Sequence, residues 1–239
     1  MNDLARTTFE RQIAQNRYPG RGLVIGRNTS GDWTLVYWIM GRSENSRNRQ
    51  FVAQGGVLRT QAFDASRVVD PSLIIYEAML ELPGVQLLTN GDQTRTIHDA
   101  LLRGGTFEAA LETRAHEPDA PHYTPRISGI LDLRASAPRV TLSILRANPL
   151  DAQQSDRSFF QLAAPAAGFG RGITTYAGDG NPLPSFSGEP LLLPCEGRGG
   201  DILERYWGAL DRDNRISLAV KTVNADGSCR ELLVKNRHG

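Results

Sequence analysis

The sequence predicts an α+β fold with mainly antiparallel sheets and helices on their outer faces. Three observations carry this. Apolar runs rich in Val, Ile, Trp and Tyr follow one another across turn-forming connections, as in "RGLVIGR", "NTSGD" and "WTLVYWIM". Blocks of helical spacing interrupt the strand-like series, without the strict βαβ alternation of a parallel sheet. The chain's 239 residues, 40% hydrophobic, are enough to bury a real core.

After a polar leader the first element is the hairpin just quoted. Three more strand-like stretches follow: one around "FVAQGGVLRTQAF", then "SLIIYEAML", then "GVQLLTN". Propensity also allows "SLIIYEAMLEL" a helix, with Pro71 suited to its first turn. From Asp92 the period changes. Ile97, Leu101 and Leu102, then Phe107, Ala110 and Leu111, fall at helical spacing around the Gly104-Gly105 break, which gives two helices. "PRISGILDL" and "RVTLSILRA" are two further strands joined by "RASAP". The stretch around 151–194 is rich in Gly and Pro and is expected to be irregular but ordered, since Phe, Tyr and Leu are interleaved in it. "GGDILERYWGALDRD" follows as an amphipathic helix, and "RISLAVKTVNADGSCRELLVK" as a closing hairpin. The expected division is a leader over 1–17 and a single domain over 18–239.

Composition narrows the function classes. A net charge of +1 argues against a general nucleic-acid or membrane-surface binder, so any anion site must be local. The two cysteines, Cys195 and Cys229, sit in no metal-binding spacing. The leader lacks the apolar stretch of a secretory signal, and no run of about 18 apolar residues follows, so the cytoplasm is the expected compartment.

Three clusters are candidates for chemistry. "GRSENSRNRQF" places Arg42, Arg47 and Arg49 after the strand "WTLVYWIM", with Glu44 the only nearby acid. Guanidinium groups this close repel one another unless an anion lies between them. "HEPDAPHYTPRISGILD" crowds Glu117, Asp119, His122, Tyr123 and Arg126 into a segment stiffened by three prolines, which suits either a catalytic segment or a rigid connector. In "TNGDQT", Asn90 and Gly91 form a turn and Asp92 can cap the next helix. His98 reads as a solvated helix residue.

The succession "GRSENSR", "LIIYEAM", "LLTNGDQT" and "EPDAPHYTPRI" resembles the archaeal-type inosine monophosphate (IMP) cyclohydrolase family, in the same order and at similar spacings. The later "TTYAGDGNPLPSFSGEP" looks like the bacterial branch of that family. The resemblance implies a four-layer αββα sandwich similar to N-terminal nucleophile hydrolases, without use of an N-terminal nucleophile. It implies a hydrolase acting on cyclic amidines, which closes the purine ring of formamidoimidazole carboxamide ribonucleotide (FAICAR) to give IMP and water. By the same resemblance, Arg47, Tyr76 and Glu117 are the expected catalytic residues. Arg42, Ser43, Asn90, Gly91, Thr124 and Arg126 are the expected substrate-binding residues. Where the archaeal pattern continues Ser-His-Thr-Asp after Asn-Gly, this chain has Asp92, Gln93, Thr94 and Arg95. That departure leaves room for a non-catalytic purine-nucleotide-binding protein on the same fold. An amide hydrolase finds no support, for no terminal nucleophile is in place. The expected partner is a small purine nucleotide, with no nucleic acid, membrane, metal or organic cofactor involved; a homo-oligomer is compatible with the sequence.

Overall fold

The computed structural model describes residues 2–68, 71 and 74–238. Two antiparallel sheets organise them, and helices pack on both. In the six-stranded sheet, β1 (Gly22–Arg27) and β2 (Trp33–Met40) form the expected hairpin, with Gly22 opposite Trp38 and Arg27 opposite Trp33. A β-carbon on Gly22 would come 2.0 Å from the Trp38 ring, so only glycine lets the indole lie across β1. β2 is buried along its whole length because it is central, flanked by β1 and by β12 (Arg215–Val223) of the closing hairpin.

The second sheet has seven strands in sequence order. β3 (Gln50–Gln54), β4 (Val57–Gln61), β5 (Glu77–Leu82) and β6 (Val85–Thr89) lead to β7 (Arg126–Asp132), β8 (Arg139–Ala147) and β9 (Ser155–Leu162). The stretch "FVAQGGVLRTQAF" is therefore two strands, reversed at Gly55, whose φ of +57° is one that glycine adopts freely. For "SLIIYEAML" the strand reading holds from Glu77 onward. Ile74 and Ile75 turn back to the Pro71 carbonyl, while Ser72 and Leu73 lie outside the described residues.

Two expectations require correction. The polar leader holds a helix, α1 (Asn2–Phe9), running into a π-helical turn over Glu10–Ala14; Ala5, Phe9 and Ile13, spaced by four, face the sheet. The Gly/Pro-rich stretch is not irregular throughout, since it contains β9 and two strands of the six-stranded sheet, β10 (Phe169–Thr174) and β11 (Leu191–Pro194). β9 is an edge strand and so remains partly exposed and polar. In β10 the glycines are required: a β-carbon on Gly172 would lie 2.7 Å from the Leu23 carbonyl oxygen.

Three apolar cores hold the layers together. Leu23, Ile25 and Tyr37 meet Met79, Ile127 and Leu142 between the sheets. Trp38, Val220 and Leu193 pack under α5 (Gly199–Ala209) and Ile13 on the outer face of the six-stranded sheet. Val85, Leu87 and Ile130 pack under α3 (Gln93–Leu102) and α4 (Phe107–Glu112), where the helices were expected. The register sets Gly22 opposite both Thr174 and Trp38, so the start of β1 and the ends of β2 and β10 meet at one end of the molecule. The loop leading into β7 joins them there.

Candidate active site

A cavity of about 280 Å³ opens at that end, and four loops build it. The first is the arginine loop after β2. Its direction is set by Ser43, whose hydroxyl accepts from the Ser46 amide at 3.2 Å and caps the one-turn helix α2 (Glu44–Arg47). This turn sends the three arginines in different directions. Arg42 reaches across the cavity mouth, its guanidinium 4.9 Å from the centre of the Tyr18 ring, and donates to Asp179 Oδ1 at 2.5 Å and to the Gly180 carbonyl at 3.0 Å. Arg49 turns inward and is 4% exposed. It donates to the carbonyls of Ser46 (2.8 Å) and Met40 (3.2 Å), and no carboxylate among the described residues pairs with it. Burial pulls its pKa below the ordinary value, yet a guanidinium keeps its charge. Arg47, expected at the substrate, faces away: it donates to the Gly41 carbonyl at 3.1 Å and to Asn214 at 3.4 Å.

The floor is a buried ion pair. Arg21, just ahead of β1, donates to Glu117 Oε2 at 3.0 Å and to the Asn90 carbonyl at 3.2 Å. Both side chains are almost free of solvent, at 10% and 3% exposure. Burial pushes the Glu117 pKa up; Arg21 opposes this but does not cancel it. Glu117 is therefore a carboxyl group held above the ordinary glutamate range in a water-poor pocket.

The rigid segment before β7 supplies one wall. The Glu117 amide donates to the Thr124 carbonyl at 2.9 Å, which closes the proline-rich loop on itself. The Thr124 hydroxyl donates to Asp119, so the Tyr176 hydroxyl, 2.6 Å away, must donate to Thr124. Burial raises the Tyr176 phenol to about 12, which keeps that proton in place at neutral pH. His122 accepts from the Leu183 amide at 3.2 Å and ties this wall to the loop between β10 and β11.

Among the expected site residues, Arg42, Ser43, Glu117 and Thr124 line the cavity together. Arg126 does not, because its Nη1 is taken by Asp92 at 2.7 Å and Gln93 at 2.8 Å and its Nε by the Ala115 carbonyl. Asn90 stitches β6 to β7, accepting from the Ile127 amide and donating to the Pro125 carbonyl. Gly91 leaves room for Arg126, since a β-carbon there would lie 2.6 Å from its Nη1. These three residues brace the wall from behind. Tyr76 is absent from the cavity wall, its hydroxyl 2.7 Å from that of Tyr37 in the buried interior. Arg21 and Tyr18 were missed by sequence reasoning, and Arg49, named in the arginine loop, was not among the residues the resemblance carried into the site. The available signal was Arg21, an arginine directly abutting the start of the first hairpin. Among the described residues no three His, Cys, Asp or Glu side chains gather as a metal site.

A family model described as "IMP cyclohydrolase-like protein" matches residues 18–227. The chain belongs to that family. No curated protein matches it. The span matched by the IMP cyclohydrolase-like family takes in every cavity residue named above, from Tyr18 to Leu183, and excludes α1. Membership supports a purine-related hydrolase, and no helix among the described residues is long and apolar enough to cross a membrane.

Proposed function

We propose that this protein closes the purine ring of FAICAR, releasing water and forming IMP. The observation that carries this reading is Arg49: a buried cation on a cavity wall, with no carboxylate partner among the described residues, calls for an anion from the ligand. In the proposed complex the nucleotide phosphate lies between Arg49 and Arg42 with Ser43 beside it, and the base end points towards Glu117. The carboxamide nitrogen attacks the formyl carbon, forming a C–N bond, and its proton passes to Glu117. Glu117 returns that proton to the formyl oxygen to give a hydroxyl, which leaves as water when the C–O bond breaks, taking a second proton that the formamido nitrogen gives up through Glu117 as the C=N bond forms. A carboxyl raised by burial is suited to these transfers. Because an amide nitrogen is a weak nucleophile, positioning must supply much of the rate, and geometry alone is worth about 7 to 11 kcal/mol in favourable cases. Arg21 stabilises Glu117 while it is ionised.

Tyr76 and Tyr37 act from behind the wall in this scheme, their hydroxyls within electrostatic reach of Arg21 and Arg49. Arg47, Asn90, Gly91 and Arg126 are positioning residues. The three apolar cores support a four-layer αββα sandwich for the single domain over 18–239, with α1 docked on β11.

A second reading, binding without ring closure, is favoured by one feature. Asp92 and Gln93, where the chain departs from the archaeal pattern, hold Arg126 through its Nη1 behind the cavity wall rather than in the cavity. Incubating the protein with FAICAR while following purine absorbance separates the two. Turnover that falls in Glu117→Gln with affinity retained supports catalysis. Saturable binding with no absorbance change supports the second reading.

A further inference from the structure

The loop over 177–184, between β10 and β11, lies at the cavity mouth, and its backbone is held mainly by bonds in which the Asp179 side chain takes no part. The Ala177 amide donates to the Pro184 carbonyl at 2.9 Å, Phe186 to Thr175 at 3.0 Å, and Leu183 to His122 at 3.2 Å; Asn16 donates to the Ala177 carbonyl at 3.0 Å. Among the described residues the Asp179 carboxylate accepts only from its neighbour, the Gly180 amide, and from Arg42 across the mouth. Arg42 in turn spends one nitrogen on both Asp179 and the Gly180 carbonyl. So an arginine that lines an anion-seeking cavity has one nitrogen held by a carboxylate from the opposite rim.

We propose that Asp179 is an affinity-setting residue that competes with the ligand for Arg42, so that a group as strongly charged as a phosphate monoester must displace it. The inference rests on the phosphate placement proposed above. Both partners are about a third or more exposed, Arg42 at 33% and Asp179 at 41%. An ion pair in that setting is weak, which makes it displaceable by a dianion. A neutral ligand gains nothing by breaking it. The carboxylate also remains within a Debye length of the bound phosphate, and its repulsion is felt most at low salt. Asp179 thus sets how tightly the charged end of a nucleotide is held and leaves a nucleoside unaffected, without touching the base.

Isothermal titration of the intact wild-type protein and of Asp179→Asn and Asp179→Glu, with IMP and with inosine as probes, tests this. Asp179→Asn is expected to bind IMP roughly tenfold more tightly at low salt, with the gain shrinking at high salt. Asp179→Glu should stay close to wild type, and inosine affinity should be the same in all three. Equal or weaker IMP binding by Asp179→Asn overturns the inference, as does an equal gain for inosine. Arg49→Met separates this from the functional reading. If IMP binding to wild type ignores Arg49→Met, the phosphate placement fails and the inference with it. If it depends on Arg49 but not on Asp179, only the role of Asp179 falls.

Discussion

Replacing Arg21 by methionine tests the electrostatic floor of the cavity. The substitution keeps a long apolar stem but leaves Glu117, 2% exposed, facing the carbonyl of Asn90 without a cation. Stranding one member of a buried pair costs about 3 to 5 kcal/mol. Glu117 can escape by taking up a proton, which caps the penalty at about 1.4 kcal/mol for each pH unit above the ordinary glutamate value of 4.5. The cap is therefore about 5 kcal/mol at pH 8 and under about 1 kcal/mol at pH 5. The lost hydrogen bond to Asn90 adds about 1 kcal/mol at both. The sign follows from the direction of the shift: Glu117 has its pKa raised in the fold, so its contribution is fully present below the unfolded value and is lost as pH rises. Removing Arg21 raises the folded value further and extends that loss upward. For a chain of this length the deficit at pH 8 corresponds to a melting-temperature drop of about 8 to 24 °C, against about 2 to 8 °C at pH 5. Thermal unfolding by circular dichroism at the two pH values measures it, and Arg21→Met combined with Glu117→Gln should regain much of the loss. An equal drop at pH 5 and pH 8 would refute the account of Glu117 as the stranded group.

Arg49→Met should hold or raise the melting temperature, since it removes a buried charge that lacks a carboxylate partner among the described residues, while weakening IMP binding by about tenfold or more; an unstable variant with unchanged affinity would contradict this. Lys221 donates to Glu81 and to the Gly56 carbonyl, both at 2.7 Å, from a fully buried position between the sheets, so Lys221→Met should lose about 1 to 3 kcal/mol at neutral pH. Burial opposes ionisation of Glu81, but the Lys221 bond and charge overcome it and lower its pKa; the gap between wild type and variant should narrow as pH falls through that lowered value, and a gap constant down to pH 3 would count against the pair. Burial raises the Cys195 thiol to about 12, so thiol reagents should leave it untouched in the native protein, modify the partly exposed Cys229 slowly, and reach both only after unfolding.

The sequence was most legible where one pattern determined one element. "WTLVYWIM" has apolar residues on both faces, and it became a strand buried on both faces. The helical spacing of Ile97, Leu101, Phe107 and Leu111 became two helices on an outer face. Legibility failed where local rules and tertiary packing disagreed. Glycine reads as a breaker, yet Gly170 and Gly172 sit in β10 because neighbouring strands and Leu193 leave no room for a side chain. The leader has few apolar residues, but their spacing by four is enough when a sheet face waits beneath it. At the site the residue types were readable and the directions were not. Whether Arg47 or Arg49 points inward depends on a one-turn helix that Ser43 caps, and Tyr76 finds a hydroxyl partner in Tyr37 from the other sheet. Such pairings arise only once the sheets are stacked.

The central claim is that the cavity floored by Arg21 and Glu117 receives the nucleotide, its phosphate held by Arg49 and Arg42. A crystal structure of the protein soaked with IMP tests this most directly. The account predicts the phosphate within hydrogen-bond distance of Arg49 and Arg42, and the purine ring directed towards Glu117. A ligand seated elsewhere, or one in the cavity with its phosphate turned away from Arg49, would contradict it.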